Sequence, residues 1–392
     1  MISNGAHDNI VGGTGTEEGN IISGNRGSPF PFGGGVEILG TGSDHNRVIG
    51  NFIGADYFGV RALRNGSAGV IIGDGARYNV IGGTTAAEGN LIAGNRSSSF
   101  LPAVGAGIHL FGSGTSHNEI LGNRIGVTAD GTGKLPNRGH GIALVDGASD
   151  NRVGGDIPEA GNLIANNEGD GIYISGRLTS GNLIRYNRFH DNDSLGILIV
   201  DSAQEGTAPP LLQSASPLVV AGSGQPSGAV VDIFRAAPDP SGAGEGLEYL
   251  ASGTVAPNGE FSIFLTSVLA GDTLTAQLTD SNGNSSAFSA NIVVQAITGV
   301  DDDPSGLPLA FELKQNYPNP FNPVTTISFT VPVRTRVRLD VLNALGEIVA
   351  TPLNMIIPSG EHSLVWTGRD ITGHPVASGV YFYRLTTADR SI

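Results

Sequence analysis

Six times between residues 35 and 199 a glycine precedes an apolar, variable, apolar triplet. The six are Gly35-Val36-Glu37-Ile38, Gly69-Val70-Ile71-Ile72, Gly107-Ile108-His109-Leu110, Gly141-Ile142-Ala143-Leu144, Gly171-Ile172-Tyr173-Ile174 and Gly196-Ile197-Leu198-Ile199. Stacked in register, they give two columns holding only Val, Ile and Leu, on either side of one column of mixed chemistry. Alternate side chains of a strand point to opposite faces, so the first and third residues line a core and the middle one is expected to face out. Successive triplets lie 25 to 38 residues apart, which suits a solenoid coil of several short strands with variable loops. A coarser period of about 70 residues overlies the coils. Asn9 in HDNIVGG aligns with Asn79 in YNVIGG and Asn151 in DNRVGG, while Asn20, Asn90 and Asn162 each open a segment reading GNII or GNLI. The implied architecture is a parallel β-helix. A leucine-rich horseshoe is disfavoured because leucines do not recur at its spacing and no helical pattern intervenes.

Composition agrees with this reading and excludes several function classes. Residues 1 to 206 hold 43 of the 60 glycines and 20 asparagines, residue types suited to corners that need positive φ. With no cysteine, disulfide scaffolds, thiolate zinc sites and cysteine nucleophiles are ruled out. No apolar run approaches the ~18 residues that a spanning helix needs. The net charge of −15, with Lys134 and Lys314 the only lysines, argues against nucleic acid and anionic membrane surfaces as partners.

The repeat array ends near residue 206, before Pro209-Pro210. From 207 to 296 the alternating runs VVDIFRA, FSIFLTS and TLTAQLTD, separated by turn clusters such as Pro257-Asn258-Gly259, read as an immunoglobulin-like sandwich. Residues 297–310, with Asp301 to Asp303 and two prolines, read as a solvated linker. A third β-rich segment runs from 311 to 392. The fold class is therefore all-β: a right-handed parallel β-helix followed by two Ig-like sandwiches.

Two places in the helix carry chemistry worth testing. RYNRFHDND contains Arg185, Arg188, His190, Asp191 and Asp193, and it departs from its repeat copies, as a catalytic site would. A solvated loop near the last coil is the alternative. Arg185, His190, Asp191 and Asp193 are the only catalytic candidates. The middle triplet column, one residue per coil over six coils, is the binding candidate, with Glu37, His109 and Tyr173 offering a carboxylate, hydrogen bonds and stacking to an extended glycan. An exposed sheet face with no ligand is the alternative there. His45 and His117 recur in register and read as turn residues. Asp280-Ser-Asn282-Gly283-Asn284 and Asp130-Gly-Thr-Gly partly imitate calcium loops but lack the later bidentate Glu, so calcium is unsupported and no metal or other cofactor is expected. The chain has no P-loop and no nucleophile elbow.

Two resemblances add to these readings. GNFIGADYFGVRALRNGSAGVIIGDGARYNVIGG and GNRIGVTADGTGKLPNRGHGIALVDGASDNRVGG resemble the right-handed parallel β-helix repeat proteins of many bacterial secreted chains. That group includes pectate-lyase-like enzymes, epimerases and adhesins, so the resemblance implies a fold and leaves activity open. DPSGAGEG and TDSNGNSSAFS resemble bacterial Ig-like modules that serve as spacers. NYPNPFNPVTTISFTVP, VRLDVLNALGEIVATPL and GEHSLVWTGRDITGHPVASGVYFYRL, in that order, resemble the C-terminal sorting domain of type IX secretion, which is similar to flagellar hook-cap Ig-like modules. This implies export to the cell surface or medium through the type IX machinery. Relatives of this domain continue past FYRL into a further strand, so a truncated last strand is expected. Aligning Ile2-Ser-Asn-Gly5 with Ile72-Gly-Asp-Gly75 places Met1 inside a coil, so a longer exported protein is expected. The leading function is a secreted or surface β-helix that binds glycans or surfaces, or serves structurally. The alternative is an extracellular polysaccharide lyase or glycoside hydrolase.

Overall fold

A computed structural model describes the chain except for residues 16, 27–32, 97–104, 240, 266, 297–309, 322–323, 358, 372–373, 388–390 and 392. The proposed linker thus lies almost wholly outside the described residues. Two compact units emerge, Met1–Gln295 and Ala296–Ile392. No helix of the described residues is long and apolar enough to cross a membrane.

In the first unit, residues 2–200 wind into a parallel β-helix of three sheets with seven, six and six strands. The triplets form the seven-stranded sheet, and Val36, Val70, Ile108, Ile142, Ile172 and Ile197 pair in one continuous register. Strand Ile2–Ser3 joins it through Ile2 opposite Ile38, which is itself opposite Ile72, so the alignment of Ile2 with Ile72 holds in space. The other two sheets turn Val48, Ile81, Ile120, Val153 and Ile184, and Ile53, Ile92, Ile125, Ile164 and Phe189, into the same buried core. Stacked identical or near-identical aliphatics fill that core, which is why aromatic residues are scarce in this stretch.

The asparagines have a role different from the expected one. All but Asn4 and Asn166 of the 20 stand in three ladders of six, each buried from its second member on. One ladder is Asn9, Asn46, Asn79, Asn118, Asn151 and Asn182. The second is Asn20, Asn51, Asn90, Asn123, Asn162 and Asn187. The third is Asn25, Asn65, Asn95, Asn137, Asn167 and Asn192. Each side-chain amide donates to the Oδ1 of the next coil, and most ladder backbone N–H groups donate to that same oxygen. The second amide proton goes to a main-chain carbonyl, as from Asn118 to Ala76 O at 3.1 Å. A short amide side chain can satisfy a turn in this way from inside, where no water reaches. Positive φ falls mostly on the residue before the asparagine instead, as at His45, Tyr78, His117 and Asp150 (φ 56–58°). Where glycine stands at a corner the reason is partly steric: at Gly82 (φ 88°) a Cβ would lie 2.0 Å from the Leu121 carbonyl oxygen.

Residues 211–293 form a three-stranded and a four-stranded antiparallel sheet around a core that includes Val220, Val231, Ile233, Phe261, Leu274 and Leu278. This sandwich does not stand apart as a spacer. It belongs to the same compact unit as the β-helix, and Phe234 and Phe288 pack into the helix core, with Phe288 edge-on to Phe189 at 5.4 Å. The second unit holds two three-stranded antiparallel sheets that bury Ile327, Phe329, Val337, Leu339, Leu353, Trp366 and Leu385.

Candidate functional site

The ladders are polar: every link donates towards the C-terminal coils, so their last members present N–H groups that need acceptors. The sandwich and the turn leading to it supply two. Gln204, fully buried in a left-handed turn (φ 53°), accepts from the Asn182 backbone N–H at 3.1 Å. Its own amide donates to Asn182 O and Ser285 O. Glu245 accepts from the Asn192 side chain at 2.6 Å and its backbone at 3.3 Å. The TDSNGNSSAFS segment contributes Asn284, which accepts from Gly181 N–H at 2.6 Å, and Ser285, whose hydroxyl accepts from Ile184 N–H at 2.9 Å. The segments that read as spacer-module turns are thus the contacts that cap the solenoid.

Burial, reinforced by the charges of Asp239 and Asp191, pushes the Glu245 carboxyl up to about 7 despite the bonds from Asn192. Between pH 4.5 and 7 the folded protein holds a proton that the unfolded chain has released. The stability this confers is complete below pH 4.5 and is lost as pH rises to 7, a change of about 3 kcal/mol. Glu245→Gln, which keeps the acceptor oxygen, is expected to remove that slope in urea unfolding curves across the range. An unchanged slope in the variant would show that another group carries it.

The cluster at 185–193 lies at this same junction. Arg185 makes a bidentate pair with buried Asp232, at 2.7 and 2.6 Å. Burial works against the guanidinium's charge, but the Asp232 bonds outweigh it and hold Arg185 above its ordinary value. Arg188 donates to Leu247 O at 3.3 Å. His190 and Asp191 form an exposed neighbour pair at 2.9 Å, and Asp193 is an exposed corner residue whose N–H donates to Asn167 O. The segment departs from its repeat copies where the cap docks, and the structure does not converge the four candidates on one cleft.

The middle triplet column, expected to face solvent, is largely covered. Glu37 is 7% exposed, His109 3%, and Ile71 and Ala143 are fully buried. Glu37 turns its carboxylate back to Gly34 N–H at 2.9 Å, and Ile71 packs with Leu39, Ala68 and Phe111. Tyr173 is half-buried and stacks flat on His140 at 4.5 Å. Strand alternation gives the side on which a residue lies, and what covers that side is a matter of loops.

One polar cluster under this face is built around His140, which by sequence reads as an unrepeated, isolated surface histidine but is buried. The His140 Nδ1 lies 3.0 Å from both the Asp170 carboxylate and the Asp170 N–H. His140 Nε2 is buried with no hydrogen-bond partner among the described residues. Burial raises the Asp170 carboxyl, but bonds from His140, Ser194 and Leu195 outweigh it and hold the group below its usual range. Burial, with the nearby His140, pushes His109 down to about 4, so His109 is neutral at ordinary pH. His140, Asp170 and Tyr173 thus form a largely buried polar cluster in which the Asp170 carboxylate is already bonded.

The two calcium-like loops close as turns. Asp280 accepts from the N–H groups of Asn282 and Asn284 at 2.8 and 2.9 Å, and Asp130 accepts from Thr132 N–H at 3.0 Å. Among the described residues, no group of three or more His, Asp or Glu side chains is placed to hold a metal ion.

No family model matches the chain, and no curated protein matches it. A similarity to the crystal structure of dimeric latent PorU from Porphyromonas gingivalis covers 49% of this chain and 20% of that one, at 13% identity and a TM-score of 0.19, and bears on neither fold nor function.

Proposed function

We propose that the chain is an exported, non-cleaving β-helix that displays a binding surface outside the cell, with residues 311–392 serving as a type IX sorting domain. One observation carries the first part of this reading. The segment that breaks repeat symmetry, with Arg185 and its neighbours, is engaged in docking the cap, which leaves the catalytic candidates paired or scattered. The buried His140–Asp170 pair has its carboxylate already bonded and lies under Tyr173. The second part rests on the ordered motifs of residues 316–385, which include the strands Thr325–Val331, Thr335–Leu342, Ile348–Ile357 and Gly360–Trp366 and most of Phe382–Thr387.

Incubation of the full chain with polygalacturonate, alginate and neutral glucans, with and without Ca²⁺, is expected to give no new reducing ends and no unsaturated products. Either product would replace this reading with the polysaccharide lyase or hydrolase one. Deletion of 311–392 is expected to leave the protein inside a bacterium that has the type IX machinery, and surface display of the deleted chain would remove the sorting role.

A further inference from the structure

The strands Phe52–Ile53 and Arg124–Ile125 are each followed by a turn of the same backbone design. Asp56 N–H donates to Arg61 O and Thr128 N–H to Gly133 O, both at 2.9 Å. Leu63 N–H donates to Gly54 O at 2.8 Å and Leu135 N–H to Gly126 O at 3.0 Å. The two turns stack on each other, Ala129 N–H donating to Gly59 O at 3.0 Å, over a small apolar cluster of Ala55, Leu91, Ala93 and Leu135. Their tips differ. Tyr57, Phe58 and Arg61 stand in one turn where Ala129, Asp130 and Gly133 stand in the other. Tyr57 and Phe58 are each 72% exposed and meet edge to face at 5.3 Å. The sister turn closes without aromatics, so the fold does not require them, and a rigid turn that presents two bare rings to water has the character of a contact surface.

Beside this turn runs a line of cations. The third asparagine ladder puts the following residue at the same corner of successive coils, which places Arg26, Gly66, Arg96, Arg138, Glu168 and Asp193 in order, so the corner is basic over the first four coils and acidic over the last two. The stacking is fixed by Gly66 N–H to Asn25 O at 2.7 Å, Arg96 N–H to Asn65 O at 3.2 Å and Arg138 N–H to Asn95 O at 2.9 Å. Arg64, one residue before Asn65, stands in the coil whose corner holds Gly66. All four arginines are exposed, as is Arg61. Coils are about 4.8 Å apart, so positive charge recurs along the first four coils of this edge. The nearest carboxylates are occupied locally. Asp56 accepts from Val60 and Arg61 N–H at 2.9 and 3.1 Å, and Asp130 from Thr128 and Thr132. Glu168 approaches only Arg138, at 3.7 Å. Segments 27–32 and 97–104, next in sequence after Arg26 and Arg96, contain no charged residue.

We propose that this edge binds an acidic polysaccharide, a polymer of pyranose rings bearing carboxylate or sulfate groups. The arginines pair with the anions at intervals along the chain, and Tyr57 and Phe58 stack on the apolar faces of the rings. Nucleic acid fits less well: duplex DNA carries a charge every ~1.7 Å, denser than this spacing neutralises, and the chain as a whole is strongly acidic. The proposal rests on the binding reading above and gives it a ligand class and a location different from the triplet column.

The test is migration of the full chain through native gels containing polygalacturonate, dextran sulfate or unsubstituted dextran, with single-stranded DNA as competitor. Retardation is expected in at least one acidic gel, weakened by salt, with none in dextran. The Arg64→Glu/Arg96→Glu variant is expected to bind about tenfold more weakly. Tyr57→Ala/Phe58→Asp, which copies the sister turn, is expected to lose about tenfold in affinity with an unchanged melting temperature. Equal retardation by dextran, no retardation by either acidic polymer, preferential release by DNA, or full-strength binding by both variants would overturn the proposal. Cleavage of a bound acidic polymer would overturn the non-cleaving reading and leave this edge intact. Full-strength binding by both variants would do the reverse.

Discussion

Asn118→Ala is expected to lower the free energy of unfolding by about 3 kcal/mol, among the largest losses from a single polar substitution in the β-helix. Asn118 is fully buried in the middle of its ladder and takes part in four side-chain bonds. It accepts from the Asn79 backbone and side chain, both at 3.0 Å, and donates to Ala76 O at 3.1 Å and Asn151 Oδ1 at 2.9 Å. Truncation leaves the Asn79 N–H facing a void that water does not fill favourably. Asn25→Ala, at the exposed first coil, is expected to cost less than about 1 kcal/mol, because water can take over the lost bonds. Urea unfolding of the two variants checks the contrast. Equal, small losses would mean that the ladder geometry contributes little beyond its backbone.

Asp232→Ala is expected to destabilise the first unit by about 3 kcal/mol, since it strands the partly buried Arg185 guanidinium beneath the cap. Hydrogen exchange is expected to speed up first at Ile184 and Arg188–His190, the strand ends that the sandwich covers. The paired replacement Arg185→Met/Asp232→Leu is expected to recover most of the loss, because removing both charges avoids the unpaired one. A double variant as unstable as Asp232→Ala would show that the pair fixes the docking geometry rather than merely neutralising itself.

The triplets Val36-Glu37-Ile38 through Ile197-Leu198-Ile199 were enough to identify a stacked parallel solenoid, because a period of two within each coil and a glycine before each strand admit few other arrangements. The alternation in VVDIFRA and TLTAQLTD likewise revealed antiparallel strands. The candidate site was less legible. Glu37 and His109 sit at the positions that alternation assigns to the outer face, yet both are buried. Arg185 was conspicuous as a break in the repeat, but its partner Asp232 lies 47 residues away in a different sheet. The signal for the edge near Tyr57 was present in the comparison of GADYFGVRALRN with GVTADGTGKLPN, and it became meaningful only when the two turns proved to share a backbone.

Sequence by itself determined the repeat, the strand periodicity and the identity of the core, because those follow from short-range geometry that each coil repeats. The tertiary structure decided what the asparagines do and where the solenoid ends. A ladder exists only when asparagines some 25 to 42 residues apart in the chain are brought into register. Its direction leaves donors at one end that a separate fold must meet, and Gln204 and Glu245 meet them.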